Sequence, residues 1–121
     1  MKSLVSIVEI PTEDFSRAVA FYHIILGVDI EEVEMGDIKM GLFPNAGEGV
    51  FVQLINGRDY KPSTDGTLVY LNGGDDLQKV ANKIVASGGK VVIPKTEIPT
   101  MGFYAIFTDT EGNRLGLYST N

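Results

Sequence analysis

The chain has 121 residues, a net charge of −6 and a pI of about 4.6. An acidic chain without a basic cluster is poorly suited to bind the phosphate backbone of nucleic acids. The absence of cysteine excludes disulfides, thiolate metal sites and a cysteine nucleophile, and a single histidine excludes a histidine-rich metal site within one chain. The length is that of one domain with a core of its own.

The first residues carry no pattern of a targeting signal or a membrane anchor. One lysine precedes a short apolar run, and Glu9 and Pro11 interrupt that run too early for a signal peptide or a membrane span. We therefore expect a cytoplasmic protein with neither a membrane nor a nucleic acid as partner.

The first half of the chain predicts one helix among strands. Residues 4–10 form a run that is apolar on both faces, which predicts a strand inside a covered sheet. Thr12 or Asp14 can cap a helix whose apolar stripe starts at Phe15, and Gly27 ends that helix. Three further strands are predicted, at 28–34, 38–43 and 50–55. The first of these three is rich in acidic residues, which favours an edge position.

The second half predicts the same order of elements. A polar stretch at 56–66 is the predicted linker, and a strand at 67–72 follows it. Asp75 or Asp76 can cap a second helix, which the glycine pair 88–89 ends. The remaining predicted elements are a strand at 90–94, a loop at 95–101 and a closing hairpin at 102–119.

The closing hairpin has one apolar face and one face suited to line a cavity. Asp109 and Gly112 have the residue types of a tight turn. In the strand after the turn, two leucines share one face, which predicts contact with the core. The opposite face presents a cation, a glycine and a phenol, namely Arg114, Gly116 and Tyr118.

The two helices correspond at a constant offset of 62 residues, which takes Phe15 to Leu77 and Tyr22 to Ile84. Since one strand precedes each helix and three follow it, the sequence predicts a duplicated β-α-β-β-β unit. The predicted class is α+β, with two paired modules whose sheets curve around a central cleft. Tyr22, Ile84 and Tyr70 are predicted core residues. The predicted boundaries are one domain at 1–121, with module 1 at 1–57 and module 2 at 65–121.

Two groups of residues, one in each half, carry a resemblance to a known superfamily. The opening group is Val8-Glu9-Ile10-Pro11, Asp14, Arg17-Ala18, Phe21-Tyr22 and Leu26-Gly27. The closing group is Gly88-Gly89, Gly102, Tyr104-Ala105, Phe107, Asp109 and Glu111-Gly112-Asn113-Arg114. In this order they resemble the vicinal oxygen chelate superfamily of glyoxalases, bleomycin-resistance proteins and extradiol dioxygenases. The resemblance implies a fold, but it leaves the reaction open because this superfamily hosts several chemistries and non-catalytic binders.

The resemblance also implies four inward-facing metal ligands, one on the first and one on the last strand of each module. Register with the helices puts these positions at Ile7, Gln53, Thr67 and Gly116. Isoleucine and glycine cannot ligate through their side chains, threonine is a poor ligand, and one glutamine is insufficient. We therefore expect no metal site of the family type and no cofactor.

Five residues are the candidate ligand contacts. Glu9 could act as a general base or accept a cationic ligand, or it could simply pair with Arg114. Gln53 could orient a ligand or satisfy a backbone group. Arg114 and Tyr118 could hold an anion and stack an aromatic ring, or they could lie exposed at the rim with the arginine in a surface ion pair. Space at Gly116 would admit a ligand to the backbone. Glu9, Gln53 and Gly116 are predicted to point into one shared cavity.

Three functions remain open on this basis. The first is a metal-free small-molecule-binding protein of the glyoxalase/bleomycin-resistance type, which the resemblance implies to be a homodimer, with its ligand unknown. The alternative is a glyoxalase-like lyase, isomerase or dioxygenase acting on a small metabolite, with a divalent metal or with acid–base chemistry on Glu9. The third is an interaction module without a ligand.

Overall fold

The computed structural model describes residues 4–45 and 49–121. The elements in chain order are β1 (Ile7–Pro11), α1 (Phe15–Leu26), β2 (Glu31–Met35), β3 (Ile38–Leu42), β4 (Phe51–Asn56), β5 (Tyr70–Asn72), α2 (Leu77–Ala86), β6 (Lys90–Ile98), β7 (Gly102–Thr108) and β8 (Arg114–Ser119). None of the described helices has the length and apolar composition needed to cross a membrane.

The strands form two sheets of the same topology. The first sheet has the order β1-β4-β3-β2 and the second has the order β5-β8-β7-β6. In each sheet the strand before the helix runs parallel to the last strand of the unit, and the other neighbours are antiparallel. The predicted α+β class and the repeated β-α-β-β-β order are therefore confirmed. The acid-rich strand β2 lies at a sheet edge, as its composition predicts.

Both helices begin at a capping aspartate. The Asp14 carboxylate accepts the backbone N–H of Arg17, and the Asp76 carboxylate accepts that of Gln78. These bonds satisfy donors that have no partner within the helix. At the end of α1, Gly27 has a φ of 66°, a left-handed conformation in which glycine avoids the steric cost of a side chain.

One hydrophobic core joins the two halves. It contains side chains from α1, α2 and the helix-facing sides of both sheets, including Leu115 and Leu117 from β8. Tyr22 and Ile84, which hold matching positions in the two helices, are both completely buried, as predicted. Tyr70, however, is 48% exposed, so its prediction as a core residue is wrong. Alternation along β5 turns Tyr70 away from the helices and Leu71 toward them.

Several strand boundaries differ from their predictions, and β2 begins at Glu31 instead of residue 28. The first strand covers Ile7–Pro11 and lies at the edge of its sheet, and Leu4 before it is 91% exposed. Strand β5 begins at Tyr70 instead of Thr67. The predicted loop at 95–101 is largely strand, because β6 continues to Ile98 in pairing with β7. Pro94 lies where this pairing shifts, and such irregularities are where sheets accept proline.

Each sheet has one side that faces the helices and one that faces away, which we call its open face. By strand alternation and register, the first open face contains Ile7, Glu9, Val33, Met40, Leu42, Phe51 and Gln53. The second open face contains Tyr70, Tyr104, Ile106, Arg114, Gly116 and Tyr118. The core side chains pack on the opposite sides, so neither described helix covers an open face.

Candidate functional site

A carboxylate–amide pair lies on the first open face. Glu9 in β1 is directly opposite Gln53 in β4, and the Gln53 amide nitrogen donates a hydrogen bond of 2.9 Å to the Glu9 carboxylate. Ile7 and Phe51 lie beside this pair and are 56% and 55% exposed. The expectation that Glu9 and Gln53 share one sheet face is thus met, and the preceding residues on that face of β1 and β4, Ile7 and Phe51, are apolar.

A cavity of about 200 Å³ lies between β1 and the start of β8. Its lining includes Glu9, Lys61, Ser63, Thr67, Asn113 and Arg114. Glu9 and Arg114 share this cavity, but the described residues contain no ion pair between them. The Arg114 guanidinium is half-buried and has no hydrogen bond to any residue that the structure describes. Its charge is therefore available to an anionic group of a ligand.

Gly116 does not leave the open space that the sequence suggests. It lies directly opposite Tyr70, and a Cβ atom at Gly116 would be 2.3 Å from a ring carbon of Tyr70. The tyrosine ring thus occupies the space beside the glycine. The backbone of Gly116 is buried beneath an aromatic ring instead of being open to a ligand.

The remaining site residues are divided among separate surface pockets. Gln53 lines a pocket with Leu42 and Phe51 on the first sheet. Tyr118 lines another with Tyr70, and its hydroxyl donates to the backbone carbonyl of Met101. Glu9 thus lines the cavity beside β8 and Gln53 lines a different pocket, and Gly116 is in the lining of neither.

A buried carboxylate that the site prediction did not include joins the two halves. One oxygen of Glu111 accepts the backbone N–H groups of Glu13 and Asp14 at 2.8 and 2.6 Å. The other accepts the Arg17 guanidinium at 2.7 Å and the Thr110 hydroxyl at 2.9 Å. Desolvation by burial raises the pKa of the Glu111 carboxyl, but these hydrogen bonds outweigh it, and the pKa lies below its ordinary value.

Asp109 extends this junction from the same turn. Its carboxylate accepts the Tyr22 hydroxyl at 2.7 Å and also accepts backbone and side-chain N–H groups of Asn113. Burial raises the pKa of the Tyr22 phenol well above its ordinary value, and the neighbouring Asp109 charge raises it further. We call Asp109, Glu111, Arg17 and Tyr22 the seam. All four belong to the motifs that carry the superfamily resemblance, so the sequence singled them out without indicating their role. The hydrogen bonds between them indicate that this role is structural.

The residues at the four positions of the family metal site do not fit a metal ion. Ile7 is apolar, Thr67 precedes β5, and Gly116 lies beneath the Tyr70 ring. Gln53 donates its amide nitrogen to Glu9, and its carbonyl oxygen would be the single suitable ligand among the four positions. Among the residues at 4–45 and 49–121, no group of three or more histidine, cysteine, aspartate or glutamate side chains could hold a metal.

The sequence of this chain matches a known protein family over most of its length. A family model described as the glyoxalase/bleomycin resistance protein/dioxygenase superfamily matches residues 4–117. The chain belongs to this superfamily. By sequence, no curated protein matches the chain.

Solved structures of this superfamily have the same fold at low sequence identity. TnmS3, an antibiotic-binding protein from Streptomyces sp. CB03234, is 22% identical with a TM-score of 0.73, and the match covers 97% of this chain and 95% of that one. The fosfomycin resistance protein FosX from Listeria monocytogenes is 15% identical with a TM-score of 0.74, with coverage of 100% and 95%.

Glyoxalase I from Zea mays is 17% identical with a TM-score of 0.73 over 94% of this chain. The chain spans about half the length of the maize enzyme, since the match covers 45% of it. At these identities the likeness concerns the fold, so the enzyme's activity is not carried over to this chain.

Proposed function

We propose that this superfamily member is a metal-free small-molecule-binding protein. The observation that carries the proposal is the first open face, an apolar surface without a helix over it, with one hydrogen-bonded carboxylate–amide pair among its side chains. Binding sites for small molecules are mostly apolar, with a few polar groups that orient the ligand. The antibiotic-binding neighbour supports this class of function by analogy only.

The proposed binding cleft forms between two copies of the chain. Of the candidate contacts, Gly116 lies beneath the Tyr70 ring. Glu9, Gln53, Arg114 and Tyr118 are distributed over two open faces and separate pockets of one chain. A second copy lying against these faces would cover the exposed Ile7 and Phe51 and enclose a cleft. Glu9 and Gln53 then orient the ligand, and Arg114 offers its unpaired charge.

The test combines oligomeric state with ligand binding. Light scattering after gel filtration should give the mass of a dimer, and native mass spectrometry of the freshly purified protein should detect a co-purifying small molecule. A panel screen by calorimetry would supply a ligand if none co-purifies. The variants Glu9→Leu and Gln53→Leu should each weaken binding about tenfold, since they remove a polar partner of a desolvated ligand group.

Glu34→Leu is the matched control for these variants. Glu34 is an exposed acidic residue of the same sheet, on the opposite side from Glu9, so its replacement should leave the affinity unchanged. A protein that remains monomeric and binds nothing from the panel would contradict the proposal.

One observation favours a second candidate, a lyase or isomerase that uses Glu9 as a base. The Glu9 carboxylate and the unpaired Arg114 guanidinium line the same cavity, a combination that could remove a proton beside an anionic group. Turnover of a bound metabolite that Glu9→Gln abolishes without loss of binding would select this candidate.

A further inference from the structure

The ring of Tyr70 has an unusual position on the second open face. Three of its carbons would lie 2.3, 2.5 and 2.9 Å from a Cβ atom at Gly116, so no other residue at 116 permits the ring to rest there. Glycine in the interior of a strand marks a close approach of another group, and here that group is the ring of Tyr70 on the neighbouring strand. The absence of a side chain at Gly116 therefore allows the Tyr70 ring to pack against the backbone of β8.

The Tyr70 ring remains accessible to a ligand. Tyr70 is 48% exposed although one part of its ring lies against the strand. Its hydroxyl has no hydrogen bond among the residues that the structure describes, so no polar contact explains its orientation. Because this ring is already held against the backbone, its side chain loses little conformational entropy when a ligand binds to the exposed part.

A second ring stands beside the first. The Tyr104 ring centroid is 6.5 Å from that of Tyr70, and the two planes are inclined at 67°. Tyr104 is directly opposite Tyr118, whose hydroxyl is bound to the Met101 carbonyl. The two rings thus form an angle, with one ring offering a surface for stacking and the other an edge.

We propose that this tyrosine pair recognises a planar aromatic ring in the ligand. The inference rests on the proposed binding function and names the ligand class for the second open face. The aromatic group stacks in an offset arrangement on Tyr70 and meets Tyr104 edge to face, the two geometries that aromatic pairs prefer. A saturated ring of the same skeleton cannot stack, so affinity should depend on planarity.

Two probes of equal charge and the same carbon skeleton test this dependence. 2-Naphthoate is planar, and decahydro-2-naphthoate is saturated. Titrations followed by amide chemical shifts in the nuclear magnetic resonance spectrum should give about fivefold or more tighter binding of 2-naphthoate, with shifts at Tyr70 and Tyr104. Equal affinities, or absence of binding by both probes at millimolar concentration, would overturn the inference.

Substitutions assign the preference to the rings. Tyr70→Leu should remove the preference for the planar probe, whereas Tyr70→Phe should retain it because the ring remains. Gly116→Ala should also weaken 2-naphthoate binding, because its added carbon displaces the Tyr70 ring. Tyr60→Leu, which changes a tyrosine between β4 and β5, should have no effect. Circular dichroism of each variant verifies the fold.

The outcome also separates this inference from the proposed function. If Tyr70→Leu binds 2-naphthoate as wild type does while Glu9→Leu weakens the panel ligand, the aromatic assignment is wrong and the binding function stands. If the wild-type protein binds neither probe nor any panel ligand, both fail.

Discussion

Two glutamates, one in the seam and one on the first open face, have opposite surroundings. The Glu111 side chain is completely buried, and its two oxygens accept four hydrogen bonds from the first half of the chain and from Thr110. Glu9 is exposed and accepts one hydrogen bond, from Gln53. A fully satisfied carboxylate has no capacity left for a ligand, while Glu9 retains most of its acceptor positions.

The same difference applies to the apolar residues. On the helix-facing sides of both sheets, apolar side chains are buried in one core. On the first open face, Ile7 and Phe51 remain more than half exposed. Burial of apolar side chains on the helix-facing sides stabilises the folded chain. The apolar surface that is exposed on the first open face can be buried by a ligand or a second chain, and this burial can drive binding. Substitutions on the two sides should therefore separate stability from binding.

The largest expected effect is in the core. Ile84→Ala should lower the free energy of unfolding by about 2–5 kcal/mol, because Ile84 is fully buried and its truncation leaves a cavity. The matched control is Val85→Ala on the same helix, at a position 61% exposed, where the loss should stay below about 0.5 kcal/mol. Reversible denaturant titrations measure both. A loss below about 1 kcal/mol for Ile84→Ala would contradict the assignment of the core face.

The seam should show the next largest effect. Glu111→Gln should lower the free energy of unfolding by about 1–3 kcal/mol, since it removes the charge that Arg17 contacts and places an amide donor against one of the two groups of donors that the carboxylate accepts. The half-exposed Arg17 keeps the effect below that of a wholly buried ion pair. Glu9→Gln should change stability by less than about 0.5 kcal/mol. Equal losses for the two variants would remove the distinction between seam and open face.

Acid should weaken the seam by a smaller amount. The pKa of Glu111 is lowered in the folded chain, so the unfolded chain takes up this proton first as the pH falls. Unfolding free energy should therefore decrease from about pH 5 downward, through the lowered pKa. In Glu111→Gln this decrease should be shallower, as measured by denaturant titrations at several pH values. An unchanged slope in the variant would show that other carboxylates account for the decrease.

The smallest expected effect is that of metal ions. Protein prepared without an affinity tag or added metal should contain no stoichiometric nickel, zinc, iron or manganese by elemental analysis, because Ile7, Thr67 and Gly116 offer no adequate ligand set. Added zinc should leave the melting temperature within about 1 °C of that of the untreated protein. One metal ion per chain would instead favour the enzyme alternative.

Much of the fold follows from local sequence patterns. The sequence offered two candidate caps for each helix, and Asp14 and Asp76 are the ones that form. The constant offset between Tyr22 and Ile84 predicted both the repeat and their burial. These features depend on residues within a few positions of each other, where capping and helical periodicity act. The alternation in β8 likewise predicted which leucines face the core.

The candidate site depends on partners that lie far apart in the chain. Alternation shows which face Gly116 occupies, but only the register of β5 against β8 brings the Tyr70 ring over it. The bonds of Glu111 to Glu13 and Arg17 span 98 and 94 residues and form only when the two halves pack. Local composition determined the helices and the faces of the strands, because those preferences are short-range. Tertiary packing decided which side chains meet, because many registers satisfy the same local pattern.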